Sequence, residues 1–276
     1  SPRRGELLYA LNEALNLLEG PTGGDLAAAR KALQRVMARR NGGLTHTISA
    51  VGHAHLDTAW LWPLRETIRK CARTFSTALD YMEKYPDYVF VCSQAVHYEW
   101  MKVYYPEIFA RIKKAVKRGQ WEPVGSMWIE PDCNLASGES LVRQILHGKR
   151  FFREELGYET RDVWLPDVFG YAASMPQIMK QAGIDFFLTQ KISWSQFNKF
   201  PHHTFEWEGI DGTRIFTHFP PADTYNAQTG PAELVKNVNN FKEHDRATRS
   251  LLVYGWGDGG GGPDIQHLEN AVRARD

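Results

Sequence analysis

The segment that decides the reading runs Ile48-Ser49-Ala50-Val51-Gly52-His53-Ala54-His55-Leu56-Asp57-Thr58-Ala59-Trp60. A short, partly β-branched run leads directly into two histidines and an aspartate at alternate positions. In extended chain, residues two apart project to the same side, so His53, His55 and Asp57 can converge. A lone histidine is more often a satisfied core residue. Three donors within five residues at a strand end fit a metal site better, and imidazole with carboxylate suits zinc.

Working outward, similar runs recur at Tyr88–Cys92, Trp121–Trp128, Asp162–Leu165, Phe186–Thr189, Thr204–Trp207, Arg214–Phe219 and Leu251–Tyr254. Helical patterns such as Thr67–Tyr85, Glu107–Arg118, Glu139–Leu156 and Met175–Gln181 lie between them. Strands alternating with helices predict a largely parallel α/β fold, and seven or eight strands suit a β/α barrel. Such folds place their chemistry at the carboxyl ends of strands.

Before residue 45 the pattern is helical instead. Leu7, Leu8, Leu11, Ala14, Leu15 and Leu18 keep helical spacing, broken at Gly20-Pro21-Thr22-Gly23-Gly24. Asp25 is positioned to cap a second helix, which ends before Asn41-Gly42-Gly43. The expected organisation is a helical extension over 1–44 and a catalytic α/β domain over 45–276.

Three more strand ends carry polar residues. Leu165 leads into Pro166-Asp167-Val168-Phe169-Gly170-Tyr171, where Asp167 could cap a helix, bind metal or act as a nucleophile. Phe219 leads into Pro220-Pro221-Ala222-Asp223, which offers a second carboxyl group of the kind glycoside cleavage needs, or an ordinary turn aspartate. Tyr254 leads into Gly255-Trp256-Gly257-Asp258-Gly259-Gly260-Gly261-Gly262-Pro263. That run lacks the Gly-Lys-Ser/Thr ending of a phosphate loop, so Asp258 facing a polar ligand is the better reading. Glu130, after Trp128, can line the same mouth, whereas His202 and His203 precede a strand and read as structural.

Composition narrows the partners. Lys plus Arg total 33 against 32 acids, a net charge of +1, which indicates no basic face for nucleic acid or an anionic membrane. Nine Trp and eleven Tyr supply aromatic faces for sugars, although core filling accounts for most of them. Cys71, Cys92 and Cys133 are widely spaced and odd in number, which points away from a disulfide framework and toward a reducing, cytoplasmic setting. No apolar run reaches membrane-spanning length and no signal-peptide core stands at the N-terminus. A homo-oligomer is compatible with all of this.

Taken together, His55-Leu56-Asp57-Thr58-Ala59-Trp60, Trp164-Leu165-Pro166-Asp167-Val168-Phe169-Gly170-Tyr171 and Gly257-Asp258-Gly259-Gly260-Gly261-Gly262-Pro263 resemble glycoside hydrolase family 38, the retaining α-mannosidases. Leu188-Thr189-Gln190-Lys191-Ile192-Ser193-Trp194 and Phe200-Pro201-His202-His203-Thr204-Phe205 are similar to its cytosolic branch. The resemblance implies a seven-stranded β/α barrel with one zinc ion and mannose-containing oligosaccharides as substrate. It implies His55, Asp57 and Asp167 as metal ligands, with Asp167 also the nucleophile. Trp60 and Phe169 are implied to line the mannose subsite, and Asp223 falls near the acid/base position. His53 is not among the implied ligands. Imidazole and carboxylate donors accept cobalt or manganese as well as zinc. The family's remaining zinc histidine belongs to a later helical region whose motif this chain lacks, so the chain is expected to be a fragment with reduced metal affinity.

Two other functions fit part of this pattern. His53-Ala54-His55 matches the metal-binding spacing of amide hydrolases and deacetylases, but the later strand ends offer aspartates rather than histidines. A non-catalytic sugar-binding domain is the second.

Overall fold

The computed structural model describes residues 2–19, 24–38 and 46–275. The expected chain breaks at 20–23 and 41–43, and the proposed boundary between residues 44 and 45, lie outside them. Helix α1 covers Pro2–Leu18 and α2 Leu26–Met37. Asp25 caps α2 as expected, its carboxylate accepting from the N–H groups of Ala27 and Ala28 at 3.0 and 2.9 Å.

The remaining chain alternates as the sequence predicts. In order come β1 (Thr47–His53), α3 (Leu64–Lys84), β2 (Phe90–Cys92), α4 (Ala95–Tyr104), α5 (Pro106–Lys117) and β3 (Trp121–Pro123). Then follow α6 (Gly138–Phe151), β4 (Asp162–Leu165), α7 (Met175–Gln181), β5 (Phe186–Thr189), β6 (Thr204–Glu208) and β7 (Arg214–His218). Last are α8 (Pro231–Asn240), β8 (Arg249–Tyr254) and α9 (Ile265–Arg275).

The described strands do not close into the expected seven-stranded barrel. They form two four-stranded sheets, ordered β3-β2-β1-β8 and β4-β5-β7-β6. Every pairing is parallel except β6 with β7, which is an antiparallel hairpin. Closure would need backbone ladders between the edge strands of the two sheets, β3 with β4 and β6 with β8. Instead β3 ends after three residues at Pro123, whose nitrogen has no hydrogen to donate, and the chain turns through Gly125 (φ +92) and Ser126 (φ +50). Side chains link the two sheets: Gly125 N–H donates to Asp162 Oδ2 at 2.8 Å, and Leu251 N–H donates to His218 Nε2 at 3.3 Å.

The sheets face each other across Val91, Val124, Trp164, Leu188 and Val253, all buried. Between them, toward the strands' amino ends, lies a cavity of about 710 Å³ whose wall includes Val51, Trp164, Phe187 and Leu251. On the outer face, α3, α4 and α5 pack over an aromatic core in which Phe75, Tyr98, Trp121 and Phe152 are almost fully buried. Burying such rings supplies roughly 2–3 kcal/mol apiece. Helix α6 packs so closely on the loop after β3 that only glycine fits at position 148. A Cβ there would lie 2.2 Å from the Ser126 carbonyl oxygen.

Two measurements test this packing. Gly148→Ala should cost about 2–3 kcal/mol in denaturant unfolding, because rigid backbone must move to admit the methyl group. Burial raises the Asp162 carboxyl from 3.8 to about 7, more than the Gly125 N–H lowers it. A raised folded-state value means the group's contribution to stability is present at low pH and declines as pH rises across that window. Asp162→Asn keeps an acceptor for Gly125 without the charge. It should flatten the fall in stability between about pH 4 and 7, and an unchanged pH profile would contradict the assignment.

Candidate active site at the carboxyl mouth

The residues singled out by the sequence follow the carboxyl ends of the strands. His55 and Asp57 follow β1, Asp167 follows β4, Asp223 follows β7 and Asp258 follows β8. His55 is buried. Its Nε2 lies 3.0 Å from Asp167 Oδ2 and 3.4 Å from Asp57 Oδ1, and its Nδ1 lies 3.5 Å from Glu130 Oε1. Burial alone would depress the imidazole; the Glu130, Asp167 and Asp57 carboxylates outweigh it and hold His55 well above its usual value.

Asp167 is anchored from a second side by Lys191, whose Nζ is 2.7 Å from Oδ1. Burial pushes the Asp167 carboxyl up, but His55 and Lys191 win and keep it below the usual carboxylate range. Lys191 is itself buried, with its ammonium 3.2 Å from the Trp194 ring centroid. Tyr225 joins the group through its hydroxyl, which lies 3.2 Å from Asp167 Oδ2 and 3.2 Å from Asp258 Oδ1. Burial, then the charges of these two aspartates, push the phenol far above its usual value, so it stays a donor.

Asp258 reaches this place through the glycine run. Gly255, Gly259, Gly261 and Gly262 all have positive φ, and Trp256 and Gly262 exchange backbone hydrogen bonds at 2.9 Å. This closes a loop with Asp258 at its turn. At Gly255 (φ +124) an added Cβ would sit 2.5 Å from the His53 carbonyl oxygen, so no other residue is accommodated.

Ligand atoms of His55, Asp167 and Asp258 all lie within 4.8 Å of one another. His55 Nε2 is buried, flanked by carboxylate oxygens, yet makes no aligned hydrogen bond. A buried imidazole nitrogen aimed among carboxylates is the donor set a divalent cation takes, so the residues fit a metal. The pocket beside it holds about 260 Å³ and is lined by His55, Asp57, Glu130, Asp132, Asp167 and Phe169.

Other sequence expectations fall elsewhere. His53 stays out of the cluster: it is fully buried against Trp164, rings 5.6 Å apart, and burial followed by the charge of His55 lowers it to about 3. The histidine pair spacing is therefore not used as a two-histidine metal site. Trp60 is 54% exposed and packs edge-on against Trp62 rather than lining the pocket. Phe169 lines the pocket and is 72% exposed. Asp223 points away from Asp167: its carboxylate accepts from Asn240 at 2.9 Å and lines a separate pocket. His202 and His203 both serve Glu243, which lies 2.9 Å from His202 Nδ1 and accepts the His203 N–H at 3.0 Å.

Sequence reasoning assigned no role to Lys191, Tyr225 or Gln94. Gln94 stitches the segment after β1 in place, donating to the Leu56 carbonyl at 2.8 Å and accepting from Thr58 at 2.7 Å. Lys191 and Gln94 each stand two residues beyond a strand, so the strand-end rule that located Asp167 could have found them.

A parallel α/β fold with a buried histidine and aspartates gathered at its carboxyl mouth has the layout of an enzyme active site. The chain belongs to the glycosyl hydrolases family 38, whose N-terminal domain matches residues 45–276. It is 47% identical to alpha-mannosidase 2C1 of Homo sapiens over 98% of this chain and 26% of that protein. It is 52% identical to alpha-mannosidase G of Dictyostelium discoideum over 82% of this chain and 21% of that protein. The chain thus spans between about one fifth and one quarter of the length of these relatives. Among solved structures, an alpha-mannosidase from Enterococcus faecalis V583 shares the fold with a TM-score of 0.69 at 24% identity, covering 83% of this chain and 26% of that one. No described helix is long and apolar enough to cross a membrane.

Proposed function

We propose that the chain carries the reaction centre of a retaining α-mannosidase, one that removes terminal α-linked mannose from oligosaccharides in the cytoplasm. We divide it into a helical extension, 1–44, and a catalytic domain, 45–276. The observation that carries the reading is the placement of Asp167 beside Asp258, with the Tyr225 hydroxyl within 3.2 Å of both. Retaining glycosidases keep two carboxyl groups roughly 5 Å apart so that one attacks while the other donates a proton. The names of the relatives support the choice of mannose.

Asp167 is the nucleophile. Lys191 and His55 keep it ionised, and one of its oxygens bonds to the anomeric carbon as the glycosidic bond breaks. Asp258 gives its proton to the departing oxygen, then takes one from the water that releases the sugar from Asp167. The donor role passes to Asp258 from Asp223 because Asp258 shares Tyr225 with the nucleophile, whereas Asp223 is held by Asn240. Phe169 offers an apolar face to the sugar at the pocket, with Trp60 further out. His55, Asp57 and Asp167 would hold a divalent cation, zinc or alternatively cobalt. Bound there, it supplies positive charge and a template for vicinal hydroxyls.

The tests use the chain within a polypeptide of the relatives' length. Asp167→Ala should lower kcat/KM on an aryl α-mannoside by about 10³-fold or more, and proton NMR of the wild-type reaction should show the α-anomer of mannose first. Release of the β-anomer, or of acetate or ammonia from acylated amides, would overturn the reading. Asp258→Asn should slow phenyl α-mannoside by roughly 10²–10⁴-fold, the usual worth of acid catalysis, and a dinitrophenyl mannoside far less. Equal losses on both leaving groups would remove Asp258 from the donor role. Chelation should abolish calorimetric mannose binding, with recovery on adding zinc; binding that persists without metal would refute the metal's part.

A further inference from the structure

A second pocket opens on the same mouth. It holds about 80 Å³ and its wall includes Gln190, Ser193, Phe200, Phe219, Asp223 and Asn240. Gln190 and Ser193 follow β5, and Phe219 and Asp223 follow β7, so it belongs to the carboxyl face that carries the reaction centre. The two sites share chain. Gln190 immediately precedes Lys191, the partner of Asp167, and Asp223 stands two residues before Tyr225.

The wall is built rather than incidental. Gln190 is only 2% exposed; its Nε2 donates to the Asp223 carbonyl at 2.6 Å and to Ser193 Oγ at 2.7 Å, while its Oε1 has no hydrogen-bond partner. His203, also lining the pocket and 6% exposed, has an unpartnered Nδ1. Buried polar atoms without partners are uncommon, and a bound water or a ligand hydroxyl would satisfy them. Asp223 itself sits at φ +58, a region sparsely used outside glycine, and is kept there by Gln190 and Asn240. Beside these acceptors lie the Phe200 and Phe219 rings, 5.2 Å apart. Hydrogen-bonding groups that grip hydroxyls, next to rings that take C–H faces, match a pyranose edge. Lys199 and Lys242 line the same pocket as Asp223, so its charges are mixed, as suits hydroxyl groups that both donate and accept.

Resting on the glycosidase reading, we propose that this pocket is a second sugar subsite, where Asp223, Gln190 and Phe200 hold the glycosyl residue on the leaving-group side of the scissile bond. It makes the enzyme a reader of the sugar to which the mannose is attached. Binding energy gathered there is remote from the reacting bond and serves to orient it.

The experiment compares kcat/KM for an α-linked mannobiose with that for phenyl α-mannoside, which has no second sugar. It is done in the polypeptide of the relatives' length, on wild type, Asp223→Asn and Phe200→Leu. Asparagine tolerates the left-handed backbone at 223, and melting curves verify that both variants fold. The disaccharide-to-phenyl ratio should fall about tenfold in Asp223→Asn, the worth of a hydrogen bond to a charged acceptor, and severalfold in Phe200→Leu. A ratio within about twofold of wild type in both folded variants would overturn the subsite while leaving the mannosidase reading intact. A wild type that cleaves neither substrate would overturn the mannosidase reading, and the subsite with it.

Discussion

Everything at the mouth depends on how Asp167 is held. Its carboxylate lies between the buried Lys191 ammonium at 2.7 Å and the buried His55 imidazole at 3.0 Å. Removing charged groups from water is expensive, and attraction compensates only when the geometry is good. The strands meet that condition: β4 delivers Asp167, β5 delivers Lys191 and β1 delivers His55, each just past its last paired residue. A nucleophile fixed from two sides loses little orientational freedom when substrate arrives.

The seams between the sheets are the counterpart of this rigidity. The edge strands share no backbone ladder, and side-chain hydrogen bonds link the two sheets instead, from Gly125 to Asp162 and from Leu251 to His218. The hydrophobic contact across the interior is thin, five buried side chains, and a cavity remains toward the strands' amino ends. The carboxyl end is better knit, because Gln94, Tyr225 and the glycine loop tie neighbouring strand ends together. The site therefore occupies the end of the fold with the denser polar bonding.

Much of the fold was legible beforehand. Parallel strands with helical crossovers have near-continuous apolar runs, so β1, β4, β5 and β8 could be located closely from composition. The long run predicted over Trp121–Trp128 shortened to Trp121–Pro123, because proline and two left-handed residues end the ladder. That the described strands stop short of a closed ring was not legible. It depends on the register and twist of strands far apart in sequence, and those depend on packing rather than local preference.

The same division applies to the site. By itself the sequence determined which side chains stand at strand ends: His55, Asp57, Asp167, Asp223 and Asp258 all do, because each directly follows an apolar run. It could not determine which of them meet. Only the tertiary structure brought Asp258 to Asp167 through a loop of positive-φ glycines, turned Asp223 toward Asn240 and withdrew His53 behind Trp164. Strand-end position is a local property of the chain. Convergence is set by how strands distant in sequence lie side by side, and by which neighbouring partner stabilises each buried charge.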